Sequence, residues 1–438
     1  MSDFTRPSNL DEFAENFAQI KPLMDANMAY YESSRCLFCY DAPCIQACPT
    51  GIDIPLFIKQ INTNNLTGAA RTIYSANYFG HTCGKVCPTE VLCEGACVYN
   101  EQDVKPIEIG RLQSHATTIA IKSDKKLFNV AQPNGKKVAV IGAGPAGISC
   151  ACELSQLGFS VKIFEAKSKP SGLALHGTAP YKITNQEVLD EVDYLKTQFG
   201  FEIQYDTRIK GDRFEELEKQ FDAIFLGIGL GDTRFTNTSG EELENSVGAT
   251  EFIEKLKLDP LSVEVGKKVV VIGGGNTAMD GASECARLGA DVTLLYRRSK
   301  AEMGAYEFEY DLIRSAGAKA MFNISVKEIM GADKVVRVRC VKTQNSNGKL
   351  EEIPGSEFSL ACDLLIRATG QKKQTSLLDS VGLGFDKKGK IEVDPVNYQC
   401  SKKQYFAGGD AVNGGAEVVN ACYEGKKAAL GIHEYLSK

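Results

Sequence analysis

The sequence lacks three features that would place the chain at a membrane, outside the cell or on nucleic acid. No uninterrupted apolar run approaches the ~20 residues that a membrane-spanning helix needs. The stretch 1–17 is acidic and contains no apolar segment of the signal-peptide type. Basic residues do not exceed acidic ones, with 50 Lys and Arg against 56 Asp and Glu. We therefore expect a cytoplasmic protein whose partners include neither a membrane nor a nucleic acid.

Cysteine, in contrast, is abundant and clustered. The chain of 438 residues has 15 cysteines, and eight of them fall between Cys36 and Cys97. A secreted disulfide framework could cluster cysteines in this way, but a long chain without a signal peptide favours metal binding. The other seven are scattered, and we interpret them as small buried residues without chemistry.

The eight clustered cysteines form two groups with similar spacing. The first group reads C-x2-C-x4-C-x3-C-P and the second reads C-x3-C-P-x4-C-x3-C. Three close cysteines and a remote fourth followed by proline are typical of ferredoxins, in which the last cysteine of a run binds the other cluster. Zinc is the alternative for any close cysteine pair. Counting cysteines alone predicts two [4Fe-4S] clusters, each held by four thiolates.

From Lys137 the chain alternates apolar strands with helical segments, the pattern of a parallel sheet with crossover helices. The segment VAVIGAGPAG (138–147) has the strand, glycine turn and helix start of a dinucleotide-binding unit. Glu165 ends the next strand, where a carboxylate can accept hydrogen bonds from ribose hydroxyls. Near the C-terminus, GGD (408–410) follows a strand and can hold the ribityl hydroxyls of a flavin. Together these motifs predict an FAD site.

A second dinucleotide unit begins about 130 residues later, at VVVIGGGNTA (269–278). Arg297 and Arg298 follow its second strand, in the place that Glu165 has in the first unit. Arginine there can pair with a ribose 2′-phosphate, which favours NADPH over NADH. The alternative is that one arginine packs on the adenine, as also happens with NADH.

These patterns predict an α/β fold. An all-helical twin-cluster iron–sulfur domain would precede two Rossmann-like dinucleotide-binding domains, the second inserted in the first. The predicted ranges are 1–130 for the iron–sulfur domain, 131–255 and 370–438 for the two parts of the FAD-binding domain, and 256–369 for the NAD(P)-binding domain.

The chain resembles the flavin-containing subunit of bacterial dihydropyrimidine dehydrogenase and the N-terminal half of the single-chain mammalian enzyme. The resemblance extends from the cysteine groups to the C-terminal end of the chain. The small subunit of glutamate synthase shares the architecture, but it uses a shorter spacing than that from Cys87 to Cys93. The motifs that carry the resemblance are RCLFCYDAPC (35–44), ACPT (47–50), CGKVCPT (83–89), LCEGAC (92–97), IGRLQ (109–113) and GGD (408–410).

The resemblance implies a ligand set that differs from the count of cysteines, because it leaves Cys83 unused and adds the amide of Gln113. One cluster would be held by Cys36, Cys39, Cys44 and Cys97. The other would be held by Cys48, Cys87, Cys93 and Gln113. An amide oxygen is neutral, so the second cluster would carry one negative charge less than an all-cysteine site.

The motifs and the resemblance also name the residues of the two nucleotide sites. No catalytic side chain is expected, because the cofactors carry the chemistry. The FAD residues would be Gly142, Gly144, Pro145, Ala146, Gly147, Glu165, Leu173, Lys182, Gly409 and Asp410. The NADP(H) or NAD(H) residues would be Gly273, Gly275, Asn276, Thr277, Ala278, Arg297 and Arg298.

Two positions depart from the family pattern. Ser171 stands in the flavin loop where relatives tend to have a second glycine. Gly304 stands where the mammalian enzyme has a third basic residue for the 2′-phosphate, which weakens the case for NADPH.

The resemblance implies an electron-input subunit that would oxidise NAD(P)H and contain FAD and two [4Fe-4S] clusters. Its 438 residues are taken up by the cluster, FAD and nucleotide units. The FMN-containing barrel that reduces uracil and thymine would therefore be a separate subunit of a hetero-oligomer. The alternatives are a glutamate synthase small-subunit module and, outside the enzymes, a zinc-binding scaffold with degenerate nucleotide folds.

Overall fold

A computed structural model describes residues 4–346 and 348–437, and these form two compact units. The first unit contains residues 20–175, 182–230 and 373–437, and the second contains residues 4–19, 176–181 and 231–372. The boundaries between the two units fall at 230/231 and 372/373, whereas the boundaries predicted between the FAD-binding and NAD(P)-binding domains fall at 255/256 and 369/370. The predicted domain ranges therefore stay a prediction. Residues 1–3, 347 and 438 of these ranges lie outside the described residues.

The N-terminal cysteine-rich region is helical, with loops that carry most of its cysteines. Ile54, Phe57, Ile58 and Ile61 are spaced as on one face of a helix, and all four are buried on the same helix. Asp53 caps that helix by accepting the N–H of Leu56 at 3.1 Å. The helices are α1 (Leu10–Asn16), α2 (Ala26–Ser34), α3 (Pro43–Gln46), α4 (Ile54–Asn62), α5 (Leu66–Ala76), α6 (Gly80–Val86) and α7 (Ile109–Lys122).

The chain then enters a parallel sheet. Each strand is a short apolar run, and a helix or loop crosses over before the next strand. The elements are β1 (Lys137–Ile141), α8 (Pro145–Gln156), β2 (Ser160–Phe164), α9 (Leu173–His176), α10 (Asn185–Phe199), β3 (Glu202–Gln204), α11 (Arg213–Gln220) and β4 (Ala223–Leu226).

The inserted segment builds a second parallel sheet, with the strand order β5-β13-β6-β7-β8, and an antiparallel sheet of β9 to β12 beside it. Its elements are β5 (Ser246–Gly248), α12 (Ala249–Leu258), β6 (Lys268–Ile272), α13 (Asn276–Arg287), β7 (Asp291–Tyr296), α14 (Glu307–Ser315), β8 (Lys319–Phe322), β9 (Ile324–Met330), β10 (Arg337–Ser346), β11 (Lys349–Glu352), β12 (Phe358–Ala361) and β13 (Leu364–Arg367).

The chain finally returns to the first sheet with β14 (Tyr405–Ala407), and the strand order of that sheet is β14-β4-β1-β2-β3. Because β14 pairs with β4 across the insertion, the predicted fold class is confirmed, including the insertion of the second dinucleotide domain in the first. The last elements are α15 (Thr375–Val381), β14 (Tyr405–Ala407), α16 (Asp410–Asn413) and α17 (Val418–Leu436).

Both faces of the first sheet are buried, as is usual for parallel strands. Val138 and Val140 face one hydrophobic core, which also contains residues of α8 and α17. Ala139 and Ile141 face a second core, which contains residues of α11 and α15. The carboxyl ends of β1, β2 and β14 are therefore the places at this sheet where polar residues can meet a ligand.

None of the helices in the described residues has the length and apolar character needed to cross a membrane.

Candidate functional site

One cavity of the first unit is surrounded by four cysteine sulfurs. The cysteines are those of the first predicted ligand set, Cys36, Cys39, Cys44 and Cys97. The rest of the lining is mainly apolar and includes Ile54 and Ile58 of α4. A thiolate set in an apolar shell is what an iron–sulfur cluster requires.

A second cavity contains every residue of the second predicted set. It is lined by Cys48, Cys87, Cys93 and Gln113, and also by Cys83. The Nε2 of Gln113 donates a hydrogen bond to the carbonyl of Gly80 at 2.6 Å. This bond uses the amide nitrogen of Gln113, so the amide oxygen is the atom that can bind a cluster. The residues of the cavity therefore fit a cluster held by three thiolates and one amide.

The cysteines are present as thiols rather than as a disulfide framework, because each of the 15 is free. Within the described part of the chain, no group of three or more His, Cys, Asp or Glu residues is arranged to hold a metal ion. The eight clustered cysteines instead line the two cavities.

A buried carboxylate holds the beginning of α6, a helix that lines the second cavity. Glu191 of α10 accepts the backbone N–H groups of His81 at 2.6 Å and Thr82 at 2.9 Å, and also the Thr82 hydroxyl at 2.6 Å. These groups begin α6, whose Gly80 carbonyl holds Gln113. Burial raises the pKa of Glu191 above its ordinary value. The sequence analysis missed this residue, because a glutamate on an amphipathic helix usually lies on the solvated face.

The first glycine-rich loop joins β1 to α8. A Cβ on Gly147 would lie 1.9 Å from the carbonyl oxygen of Gly142, so only glycine allows α8 to pack this closely. Gly144 is the N-cap of α8, and a Cβ added there would be 4.0 Å from the Cα of Gly172, its nearest heavy atom among the described residues. The loop thus leaves an open cradle before the unpaired N–H groups of α8, which fits a pyrophosphate.

Two carboxylates lie at the same edge of the first sheet. One oxygen of Glu165 accepts a hydrogen bond from the N–H of Ala143 at 2.7 Å, and the other accepts one from the N–H of Lys167 at 2.8 Å. Asp410 begins α16 after β14, and a Cβ on Gly409 would come within 3.0 Å of the Cβ of Ala146. Burial raises the pKa of Asp410. Both carboxylates are therefore held beside the glycine-rich loop, as a flavin dinucleotide requires.

The remaining predicted flavin residues belong to the same unit. Pro145 and Ala146 form the first turn of α8, and Leu173 begins α9. Lys182 is buried in the segment before α10. The structure thus brings the loop and the two carboxylates together, while the roles of Leu173 and Lys182 stay a prediction.

Ser171 is strained in this loop. Its φ is +80°, in the left-handed region that favours glycine, and its N–H donates to the carbonyl of Ala143 at 2.6 Å. Its buried hydroxyl has no hydrogen-bond partner within the part of the chain that the structure describes. Serine at position 171 therefore makes this loop less stable than the glycine that relatives tend to have there.

We expect Ser171→Gly to stabilise the first unit by about 1 kcal/mol, because glycine adopts this conformation without strain and removes the unpaired hydroxyl. The measurement is the urea midpoint for release of FAD from the holoprotein. Ser168→Gly is the control, since Ser168 is exposed in the same loop and has no left-handed backbone. An equal rise of the midpoint in both variants would contradict the explanation.

The second glycine-rich loop joins β6 to α13 in the second unit. Gly275 is the N-cap of α13, and a Cβ added there would meet no heavy atom of the described residues within 4 Å. The side-chain oxygen of Asn276 accepts the N–H of Tyr306 at 3.1 Å, and the carbonyl of Gly274 accepts the N–H of Ala305 at 2.9 Å. Open space before the helix N-terminus again fits a pyrophosphate.

The remaining predicted nucleotide residues lie at the same edge. Thr277 and Ala278 are in the first turn of α13, and Gly273 forms the turn after β6. Arg297 and Arg298 directly follow β7 and are exposed. Their roles as nucleotide ligands stay a prediction.

Two known protein families match the chain. Residues 13–125 match the family described as dihydropyrimidine dehydrogenase domain II, 4Fe-4S cluster. Residues 136–425 match the pyridine nucleotide-disulphide oxidoreductases. The first match supports 4Fe-4S clusters against zinc, and the second supports an oxidoreductase against a degenerate scaffold.

Relatives of known function are similar over nearly the whole chain. The NAD-dependent dihydropyrimidine dehydrogenase subunit PreT of Salmonella typhimurium is 32% identical over 98% of this chain and 98% of its own length. The glutamate synthase [NADPH] small chain of Halomonas elongata is 32% identical over 97% of this chain and 93% of its own length. The predicted resemblance is confirmed.

Solved structures share the fold at lower identity. FprA of Mycobacterium tuberculosis in complex with NADPH has a TM-score of 0.59 at 18% identity, over 70% of this chain and 85% of that one. Thioredoxin reductase of T. acidophilum has a TM-score of 0.54 at 22% identity, over 69% of this chain and 100% of that one. The family matches and the full-length relatives show that the chain belongs to the pyridine nucleotide-disulphide oxidoreductases and carries an N-terminal 4Fe-4S domain. It is an NAD(P)-dependent oxidoreductase with FAD and 4Fe-4S clusters as cofactors.

Proposed function

We propose that the chain is the electron-input subunit of a cytoplasmic hetero-oligomer that reduces uracil and thymine to the 5,6-dihydropyrimidines. The observation that carries the electron-input part of this proposal is that one helix, α17, contacts both the second cysteine cavity and the flavin loop. Val419 of α17 lines the cavity. Gly425 of the same helix packs on the loop so closely that a Cβ would lie 2.1 Å from the carbonyl oxygen of Ala146.

The cofactors supply the redox chemistry: FAD exchanges a hydride with NAD(P)H, and 4Fe-4S clusters carry single electrons. The chain's own residues bind and orient these groups. The open cradle at Gly144 would hold a pyrophosphate at the N-terminus of α8, and Glu165 and Asp410 would accept hydrogen bonds from hydroxyl groups of the dinucleotide. The cysteine cavities, lined largely by apolar side chains, restrict water around the sulfurs, which tunes a cluster's potential.

The relatives support a separate catalytic partner, because two of them are subunits of larger enzymes. PreT is named as a dihydropyrimidine dehydrogenase subunit. Another relative, 32% identical over 90% of this chain but only 60% of its own length, is the subunit beta of an NADP(+)-dependent formate dehydrogenase in Moorella thermoacetica. We propose an FMN-containing barrel as the partner of this chain. The second candidate, input to glutamate synthase, is favoured by the similarity to the Halomonas small chain.

Anaerobic co-purification of the chain from its native cell tests the proposal. We expect an FMN protein of barrel size to accompany it, and the mixture to oxidise NAD(P)H only when uracil or thymine is present. A glutamine-hydrolysing partner, without pyrimidine-dependent oxidation, would contradict the pyrimidine assignment and support the second candidate.

The isolated chain provides the control for electron input. It should oxidise NADH or NADPH with ferricyanide as acceptor, and Gly275→Ala should abolish this activity while FAD and iron content stay normal. A chain that contains FAD and iron but oxidises neither nucleotide would contradict both candidates. The ratio of kcat/KM for the two nucleotides decides between NADH and NADPH.

A further inference from the structure

A fully buried carboxylate connects three helices of the first unit. Glu191 of α10 is 0% exposed. Its Oε1 accepts hydrogen bonds from the N–H of His81 in α6 at 2.6 Å and from the hydroxyl of Tyr74 in α5 at 3.1 Å. Its Oε2 accepts hydrogen bonds from the N–H and the hydroxyl of Thr82, at 2.9 and 2.6 Å. Burying a carboxylate is costly unless it is hydrogen-bonded, and four donors meet that need here.

The two backbone donors lie in the first turn of α6, where the N–H groups of a helix have no partners within the helix itself. The N-cap residue of α6 is Phe79, and its side chain makes no capping hydrogen bond. Glu191 therefore takes the role of the missing cap and fixes where α6 begins. The carbonyl oxygen of Gly80, the first residue of α6, accepts the hydrogen bond from the Gln113 amide at 2.6 Å. The carboxylate thus holds the helix end to which the predicted amide ligand is bonded.

The rest of α6 connects this end to the second cavity. Gly84, in the middle of the helix, packs backbone against backbone on Gly110 of α7. A Cβ on Gly84 would lie 2.8 Å from the carbonyl oxygen of Gly110, and a Cβ on Gly110 would lie 2.6 Å from that of Gly84. Both glycines line the cavity, and so does Cys87 at the C-cap of α6. In such close packing a shift of α6 moves the residues that line the cavity.

We propose that Glu191 is a positioning residue for the 4Fe-4S cluster of the second cavity, and that it acts through α6 on Gln113 and Cys87. The proposal rests on the proposed electron-input function, for which this cavity holds a cluster. Replacing a residue that orients the ligands of a metal typically lowers metal affinity by about 10- to 100-fold. Among the described residues none of α6 lines the first cavity, so the cluster there is an internal control.

The test exposes the anaerobically purified holoprotein to a ferrous chelator and follows iron release and the EPR spectrum of the reduced protein. Each oxygen of Glu191 accepts one backbone N–H of α6, so in Glu191→Gln the NH2 group faces one of these donors, whichever way the amide is turned. We expect the second cluster to be lost about 10- to 100-fold faster than in wild type, and the first at the wild-type rate. Before chelation, the EPR signal of the second cluster should change shape, because its ligand geometry changes. The signal that is missing in Cys87→Ala identifies this cluster.

Glu241→Gln is the matched control. Glu241 is a buried glutamate of the second unit that likewise accepts two backbone N–H groups and a threonine hydroxyl, from Thr236 and Thr238. It lines neither cysteine cavity. The release rates of both clusters and both EPR signals should therefore match those of the wild type.

Equal acceleration of the loss of both clusters in Glu191→Gln would overturn the assignment and leave Glu191 as a residue that stabilises the whole first unit. Wild-type release rates for both clusters would overturn it as well. If Glu191→Gln does not fold, Glu191→Asp carries the test. Aspartate keeps both oxygens but is one methylene shorter, so the second cluster alone should be lost about 10-fold faster, and wild-type rates would overturn the assignment.

The wild type separates this assignment from the proposed function. A wild-type chain that holds no iron–sulfur cluster would overturn the electron-input function and the role of Glu191 together. A wild-type chain with both clusters, whose retention Glu191→Gln leaves intact, overturns only the role of Glu191.

Discussion

Gln113→Ala is expected to lose one 4Fe-4S cluster, whereas Cys83→Ala is expected to keep both. Both residues line the second cavity, so the two substitutions test directly which of them is the ligand. The hydrogen bond from the Gln113 amide to the Gly80 carbonyl holds the amide in one orientation. The thiol of Cys83 instead interacts with the side chains of Cys422 of α17 and of Cys87.

The measurement is iron per chain after anaerobic purification, together with the EPR spectrum of the reduced protein. We expect about eight irons for the wild type and Cys83→Ala, and about four for Gln113→Ala, as two [4Fe-4S] clusters would give. Cys87→Ala is the positive control and should also fall to about four. The assignment fails if Cys83→Ala falls to four irons while Gln113→Ala keeps eight.

Gln113→Glu separates ligand chemistry from packing. The glutamate side chain has nearly the same shape as glutamine, so the cavity should still hold its cluster. A carboxylate ligand adds a negative charge, and the reduction potential of that cluster should therefore become more negative. An unchanged potential would show that residue 113 does not touch the cluster.

The second large effect is expected at the first glycine-rich loop, where Gly144→Ala should produce a folded chain without FAD. A Cβ on Gly144 meets no protein atom closer than the Cα of Gly172, 4.0 Å away among the described residues. The methyl group would therefore occupy only the cradle in which the pyrophosphate has to approach the backbone. We expect FAD per chain to fall at least about tenfold, with normal iron content and circular dichroism.

Two other glycines control for this prediction. At Gly147 a Cβ would collide with the backbone of the same loop, so Gly147→Ala should fold poorly and lower the yield of soluble protein. At Gly275 the open space belongs to the second loop, so Gly275→Ala should retain FAD. If Gly144→Ala retains FAD as well as Gly275→Ala does, the first loop is not the pyrophosphate site.

The sequence by itself was enough to predict the fold class, whereas the residue sets of the two cysteine cavities were predicted from the resemblance to a known family. The fold class depends on local rules: glycine is needed where backbones approach closely, and a helix buries residues three and four positions apart. The face of α4 illustrates this, since Ile54, Phe57, Ile58 and Ile61 recur at helical spacing and are all buried. Spacing along the chain carries such information without knowledge of distant segments.

Only the tertiary structure decided which polar residues are buried and what they meet. Glu191 and Arg367 are ordinary charged residues in the sequence, and their burial depends on segments that lie far away in the chain, such as α6 for Glu191 and Phe235 for Arg367. The grouping of residues 4–19 and 176–181 with the second unit was likewise invisible in the local pattern. The physical reason is that desolvation of a charge is set by everything packed around it, whereas the period of a strand or helix is set by its own backbone.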